Sequence, residues 1–320
     1  MIAWRNARLA LMVSIAGWSG TVSATADVPV LTPQKIARDV YIVQGKAGVA
    51  SQENRGFNSN AGFVVTRDGV VVIDALGTPA LGQGLVNAIR KITNKPIRTV
   101  IVTHYHADHF YGLPALKRAG AQVWAHAAAR EYLEGGEGAA RLAQRRQDLA
   151  PWVDEKTRLL APDIWLGSNT AFKLGGTHFD IVHLGPAHSP EDVIVIVREA
   201  GVIFTGDILF AGRIPFVGQA DSKSWLKTFS TLLALRPKIM VTGHGAPSLA
   251  PESDLKLTRD YLIYLREAMG RAVNDFVAFE DAYAQTDWSR FAKLPAFDAA
   301  NRINAYGTYL LMEKEMLAKK

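Results

Sequence analysis

The 320-residue sequence contains no cysteine. That excludes a disulfide scaffold, a cysteine nucleophile, an iron–sulfur cluster and zinc held by thiolates. A metal site in this chain has only histidine and carboxylate to draw on. No run of five or more lysines or arginines occurs, so the formal net charge of +6 is thinly spread and forms no nucleic-acid-binding stripe. The G-x-S-x-G elbow of serine hydrolases, the Walker phosphate loop and the G-x-G-x-x-G turn of dinucleotide sites are all absent. Past the first residues, no apolar stretch is long enough to span a bilayer, so stable membrane insertion is not expected. No repeat or low-complexity tract interrupts a composition that is 48% hydrophobic and 21% charged, an ordinary globular mix. A small-molecule partner suits a mildly positive chain of this kind, and nothing in the sequence fixes its oligomeric state.

Residues 1–26 read as a secretory signal peptide. Arg5 and Arg8 form a basic start, Leu9 to Trp18 is an apolar run of about ten, and Ala24-Thr25-Ala26 is an A-x-A cleavage pattern. Cleavage there removes two arginines and no acid, lowering the net charge to +4 and starting the chain at Asp27. The expected destination is the bacterial periplasm or the exterior. The remainder divides into a main domain at 27–250 and a helical extension at 251–320 packed on it.

Periodicity places the elements. Gly62 to Thr66 and Val70 to Asp74 flank Arg67-Asp68-Gly69 as a hairpin. Leu81, Leu85, Ala88 and Ile92 share one face of a helix over 80–92. Ile97 to Thr103 is a β-branched apolar run, which predicts a buried strand. Ala127 to Leu149 reads as one helix with Arg141, Arg145 and Arg146 on a solvated face. The second half repeats the plan, with strands at 171–174, 178–184, 193–197, 202–205 and 239–242, a helix at 223–235 and helix from Glu252 onward. The expectation is an α/β chain in a four-layer αββα sandwich, two sheets face to face with helices outside.

The decisive segment is His104-Tyr105-His106-Ala107-Asp108-His109, directly after the predicted buried strand. Four potential metal ligands fall within six residues, and a strand-end loop can turn them inward together. Three further candidates are expected at strand ends: His188 in Pro186-Ala187-His188-Ser189, Asp207 in Thr205-Gly206-Asp207, and His244 in Gly243-His244-Gly245. Glycines beside them point to tight turns and close backbone approach.

The order H-x-H-x-D-H, then His, then Gly-Asp, then Gly-His-Gly resembles the ligand set of the metallo-β-lactamase-fold hydrolases, over roughly Val40 to Ala246. The resemblance implies that fold and two zinc ions about 3.5–4 Å apart. By position, His104, His106 and His188 would hold one ion, Asp108, His109 and His244 the other, and Asp207 would bridge them. Asp74, closing Val71-Val72-Ile73-Asp74, resembles the buried carboxylate that orients a ligand histidine. The chemistry implied is attack of a metal-activated water on the carbonyl of a small ester, thioester or lactam, with Asp108 and Asp207 as the carboxylates that carry it. Class B1 lactamases place cysteine where Asp207 stands, so the site is more similar to that of hydroxyacylglutathione hydrolases. Gln44-Gly45, Glu53-Asn54-Arg55-Gly56 and Gly206 to Pro215 resemble exported zinc hydrolases that accompany sulfur-oxidation and quinoprotein systems.

Four other functions share parts of this pattern: a metallo-β-lactamase proper, a mononuclear iron persulfide dioxygenase (which makes iron an alternative metal), a nuclease of the same fold, and a non-catalytic binding protein. Substrate contacts are expected from the Gly/Ser/Asn-rich loop 46–60, from Arg213 and Phe216 in the loop after Asp207, and from Tyr105 and Tyr111 flanking the ligands. His126, His178 and His183 read as structural.

Overall fold

The computed structural model describes residues 27–318 except Gln219; the proposed signal peptide lies outside the described residues. Seven strands form one sheet in chain order: β1 (Gln34–Ala37), β2 (Val40–Val43), β3 (Ala61–Val65), β4 (Val70–Ile73), β5 (Ile97–Ile101), β6 (Gln122–His126) and β7 (Ile164–Leu166). The helices α1 (Pro79–Ile92), α2 (Ala107–Phe110), α3 (Leu113–Arg118), α4 (Arg130–Glu134) and α5 (Glu137–Asp148) fall between its later strands. A second sheet of five has the order β12-β11-β10-β9-β8, from β8 (Thr170–Leu174), β9 (Thr177–His183), β10 (Val193–Val197), β11 (Val202–Phe210) and β12 (Ile239–His244). Helix α6 (Ser222–Ala234) links β11 to β12, and α7 (Pro251–Asn274), α8 (Phe279–Gln285) and α9 (Phe297–Leu317) follow.

Three apolar layers hold these parts together, and strand alternation distributes the side chains among them. In β4, Val70 and Val72 pack towards α1 and α3, while Val71 and Ile73 face the other sheet. In β10, Val193, Val195 and Val197 enter the same inter-sheet layer, and Ile194 turns to the outer helices. The third layer joins β11 and α6 to Leu262, Leu265 and Met269 of α7 and Ala305 and Met312 of α9. The result is the helix–sheet–sheet–helix sandwich, with the last helices on the second sheet. Among the described residues no helix is long and apolar enough to cross a membrane.

Helix α1 starts where the sequence supplies a cap. Thr78 Oγ1 accepts the Leu81 amide at 3.2 Å, with Pro79 at the first helical position. The expected single helix over 127–149 is instead broken at Gly135-Gly136, where Gly136 has φ +91°, leaving a short 3₁₀ turn, α4 and α5. β11 runs further than its apolar pattern predicts, from Val202 through Asp207 to Phe210. Asp207 is therefore inside a strand, not at its end. The register against β12 shifts on either side of Gly206, whose φ of +52° aims the next residue out of the regular pleat.

The topology gathers chain ends at one place. β4 and β5 run parallel, as do β11 and β12 in the other sheet. Asp74, the 104–109 segment and His244 all sit at or just past carboxyl ends of those strands, where the two sheets meet.

Candidate metal centre

Three groups of donors converge there, each with ligand atoms within 4.8 Å of one another: His104, His106 and His188; His104, His109 and Asp207; and Asp108, His109 and His244. The segment after β5 supplies four of these residues, His104 and His106 from its loop and Asp108 and His109 from α2. His188 comes from the loop between β9 and β10, Asp207 from β11 and His244 from the last position of β12. The structure thus brings together all seven residues singled out as ligands. Asp207 lies in the middle. Its Oδ2 is 3.8 Å from His104 Nε2, 3.4 Å from His188 Nε2 and 3.3 Å from His244 Nε2, and its Oδ1 is 3.2 Å from His109 Nε2.

The surroundings aim these rings. Asp74 Oδ2 sits 2.9 Å from His109 Nδ1, while Asp74 Oδ1 accepts the Thr103 amide at 2.8 Å. Thr103 Oγ1 lies 3.1 Å from His104 Nδ1, and the Asn58 carbonyl 2.7 Å from His244 Nδ1. Asn58 Nδ2 also donates to Asp108 Oδ2 at 2.9 Å. Asn60 fixes the end of β12 by donating to the Thr242 and Gly245 carbonyls, each at 2.8 Å. Gly243 has no room for a side chain, since a Cβ there would stand 1.9 Å from Asp207 Oδ1.

Four buried atoms in the centre find no hydrogen-bond partner: His104 Nε2, His109 Nε2, His188 Nδ1 and Asp207 Oδ1. His106 Nδ1 and His188 Nε2 face each other at 2.7 Å. Unpaired polar atoms in a native interior are few and each costs about 1–3 kcal/mol. Nitrogen and carboxylate oxygen donors turned on a common point, without cysteine, are the set that a divalent cation such as zinc takes.

The electrostatics agree with that fit at His104, His106 and His188 and at the two carboxylates. Burial, reinforced by its neighbour His106, pushes His188 down to about 3, and burial also holds His104 and His106 below the ordinary imidazole value. Neutral rings are what a cation needs. Burial works against the charge on Asp207 and Asp108, but nearby histidines outweigh it. Asp207 is held well below the usual carboxylate range by His244 and His109, and Asp108 is brought to about 2 by His109 and His244. Burial lowers His109, yet Asp207 and Asp74 overcome it and hold that ring well above its ordinary value.

A cleft of about 860 Å³ opens beside the centre and is lined in part by His106, Asp108, His188, Asp207 and His244. The sequence pattern of the metallo-beta-lactamase superfamily matches residues 54–244. The chain belongs to the metallo-β-lactamase superfamily.

Relatives in this superfamily include metallo-beta-lactamase IND-1 of Chryseobacterium indologenes, 24% identical over 59% of this chain and 72% of that protein. Hydroxyacylglutathione hydrolase GloC of Haemophilus influenzae is 31% identical over 47% of this chain and 69% of its own. Linear primary-alkylsulfatase of Pseudomonas sp. is 21% identical over 65% of this chain but only 46% of its own length. The fold agrees with the solved sec-alkylsulfatase Pisa1 from Pseudomonas sp. at a TM-score of 0.68 and 18% identity, over 88% of this chain and 50% of that one. It also agrees with a metallo-beta-lactamase from Pontibacter korlensis at 0.55 and 23% identity, over 73% and 99% of the two chains. This chain thus spans about half the length of the alkylsulfatases it matches. It is a hydrolase of the superfamily, with a His/Asp cluster able to hold metal.

The expected substrate contacts fare differently. Arg213 and Phe216 line the cleft, as do Val49, Ala50 and Asn58 of the 46–60 loop. Arg213 is 5% exposed and already engaged: its Nη1 donates to the Gly48 carbonyl and its Nε to that of Ile214. It ties the 46–60 loop to the β11–α6 loop. Tyr105 and Tyr111 are fully buried and do not line the cleft. Tyr105 Oη donates to the Leu160 carbonyl at 3.1 Å. In extended backbone successive side chains point to opposite sides, so the turn that brings His104 and His106 inward sends Tyr105 into the core. His126 and His183 stack on each other at 4.1 Å and His178 pairs with Glu199; none belongs to a donor group.

Sequence reasoning missed Thr103, the part Asn58 plays in holding Asp108 and His244, and the placement of Arg141 and Arg145. The last two line the cleft, so α5 presents them to the site. The i, i+4 spacing of the arginines was visible; the direction of that face was not.

Proposed function

We propose that this chain is an exported binuclear zinc hydrolase that cleaves a small ester, thioester or lactam. One observation carries the reading: the Asp207 carboxylate lies within 3.2–3.8 Å of histidine nitrogens from both outer groups, His104 and His188 on one side and His109 and His244 on the other. Two cations held by those groups and sharing Asp207 would supply Lewis acidity and a water whose pKa is lowered towards about 7.

The protein's own part is positional. Asp74 fixes the His109 ring through its remote nitrogen, Thr103 does the same for His104, and the Asn58 carbonyl for His244. Such partners raise ligand basicity and lock ring orientation. Asp108 and Asp207 stay ionised at neutral pH and offset cation charge in a buried site. Arg213 ties the 46–60 loop, whose Val49 and Ala50 line the cleft, to the β11–α6 loop through the Gly48 carbonyl.

The test is metal analysis of the protein purified from the periplasm, followed by a panel of thioesters, lactones, β-lactams and alkyl sulfates. Two zinc per chain with turnover of an acyl substrate supports the reading. One iron per chain with oxygen uptake on a persulfide overturns it in favour of the dioxygenase. A β-lactam turned over within tenfold of the best thioester or lactone makes the chain a lactamase proper.

A further inference from the structure

The cleft lining is of two kinds. One is apolar, from Val49, Phe216, Val217 and Ile303. The other comes from α4 and α5, with Tyr132, Arg141 and Arg145. Arg141 and Arg145 are four residues apart and so share a helix face. Among the described residues Arg141 makes no hydrogen bond or ion pair, and Arg145 has only a long contact to Asp148 at 3.9 Å. The Tyr132 hydroxyl in the same part of the lining is buried and has no hydrogen-bond partner.

Depth separates Arg145 from the acids around it. The charge of Arg145 reaches Asp108, so Arg145, which is half-buried, lies towards the metal centre. The charge of Arg141 reaches the phenols of Tyr111 and Tyr132. Glu131, Glu137 and Arg141 all line the cleft at its exposed side, where water and salt screen them, and neither acid pairs with Arg141. Glu191 is buried and occupied, its Oε1 accepting the Tyr105 amide at 3.0 Å. Arg213, the other cleft arginine, is spent on backbone carbonyls. The unclaimed donors are therefore two guanidiniums and a phenol, in a cleft that also offers apolar side chains and has room for a small molecule.

We propose that the cleft takes an amphiphilic organic acid: an ester or thioester with an apolar chain and a carboxylate remote from the reacting bond. Arg141 and Arg145 receive the carboxylate by charge-assisted hydrogen bonds, and the chain lies against Val49, Phe216 and Ile303. This substrate class rests on the hydrolase reading above, whereas the anion site stands on the cleft alone.

Two measurements test it. On zinc-loaded protein, kcat/KM is compared for 4-nitrophenyl hydrogen glutarate and its neutral methyl-capped ester. The wild type is expected to favour the anionic ester by about tenfold, the scale of one charge-assisted hydrogen bond, mainly through KM and less so at high salt. Arg141→Gln and Arg145→Gln each reduce that ratio, the double variant abolishes it, and Arg141→Glu reverses it. Separately, calorimetry on chelator-treated protein compares octanoate with octanol. The wild type is expected to bind octanoate more tightly, and the double variant to lose the difference. If neither ester is cleaved but the calorimetric difference holds, the hydrolase reading fails and the anion site stands. If the wild type does not distinguish octanoate from octanol, or the double variant still does, the site assigned to Arg141 and Arg145 is overturned.

Discussion

Asp74 Oδ2 lies 2.9 Å from His109 Nδ1, joining the end of β4 to the segment after β5 through two side chains with no exposed surface to speak of. The same carboxylate takes the Thr103 amide through its other oxygen. One residue thereby sets both the ring of His109 and the path of the chain that carries His104. Asp74→Ala is expected to weaken binding of the second zinc by about 10–100-fold. Competition with a chelating dye reads this directly, and unchanged affinity would mean that Asp74 only shapes the loop.

Asp207→Ala is expected to lower metal content towards one equivalent per chain and to remove most turnover. A shared carboxylate compensates two cations at once, and its loss leaves them close together with less negative charge between them. Two full equivalents with normal kcat in the variant would show that Asp207 has no bridging part.

Gly243→Ala probes the same oxygen from the backbone side. The added Cβ would stand 1.9 Å from Asp207 Oδ1, so the carboxylate must move or the strand must shift. The expected outcome is a loss of about 1–3 kcal/mol in stability, as for other overpacked sites, together with weakened zinc binding. Denaturant titration of the metal-free protein separates the two effects.

Metal-free protein is expected to lose stability as the pH falls from about 6.5, the free imidazole value. His188 is driven down to about 3 by burial, with His106 adding to it, and His104 and His106 are lowered too. Across this window the unfolded chain binds protons that the folded chain does not, so stability rises with pH and falls on acidification. His109 has the opposite sign: its stabilisation is present below the unfolded value and fades as pH rises through its raised folded value. Four lowered rings, His126 among them, outnumber the groups of opposite sign, the raised ring of His109 and the raised carboxyl of buried Asp192, and set the net direction below pH 6.5. Calorimetric Tm values on chelator-treated protein from pH 7 to 4 check it, and a flat or rising Tm on acidification contradicts it.

Export predicts a mature chain that begins at Asp27. N-terminal sequencing of the protein from a periplasmic fraction reads this, and an intact Met1 in a membrane fraction counts against it.

Much of the centre was legible because its information is local. The 104–109 run packs four donors into a short stretch, and the unbroken β-branched runs of β4 and β10 announce strands with two buried faces. Asn58, Thr103 and Arg145 were not legible, because each acts through a neighbour far along the chain or through the direction of a helix face. Asn58 meets Asp108 across 50 residues of sequence, and no spacing rule marks it. The break at Gly135-Gly136 escaped because the flanking helical periodicity continues past it, whereas a left-handed glycine reverses the chain. Tyr105 and Tyr111 were drawn towards the substrate by proximity in sequence, and backbone alternation and core packing take them elsewhere.

Each outer donor group draws two residues from the first half of the sandwich and one from the second: His104 and His106 with His188, and Asp108 and His109 with His244. A cation in either place would therefore act as a rivet through the seam between the sheets. His106 and His188 are 82 residues apart in sequence, and fixing a loop of that length costs a denatured chain roughly 4.5 kcal/mol on the chain-entropy account of cross-links. With no cysteine for a disulfide, this donor cluster is the candidate staple among the described residues, so stripping a bound metal would slacken the whole sandwich.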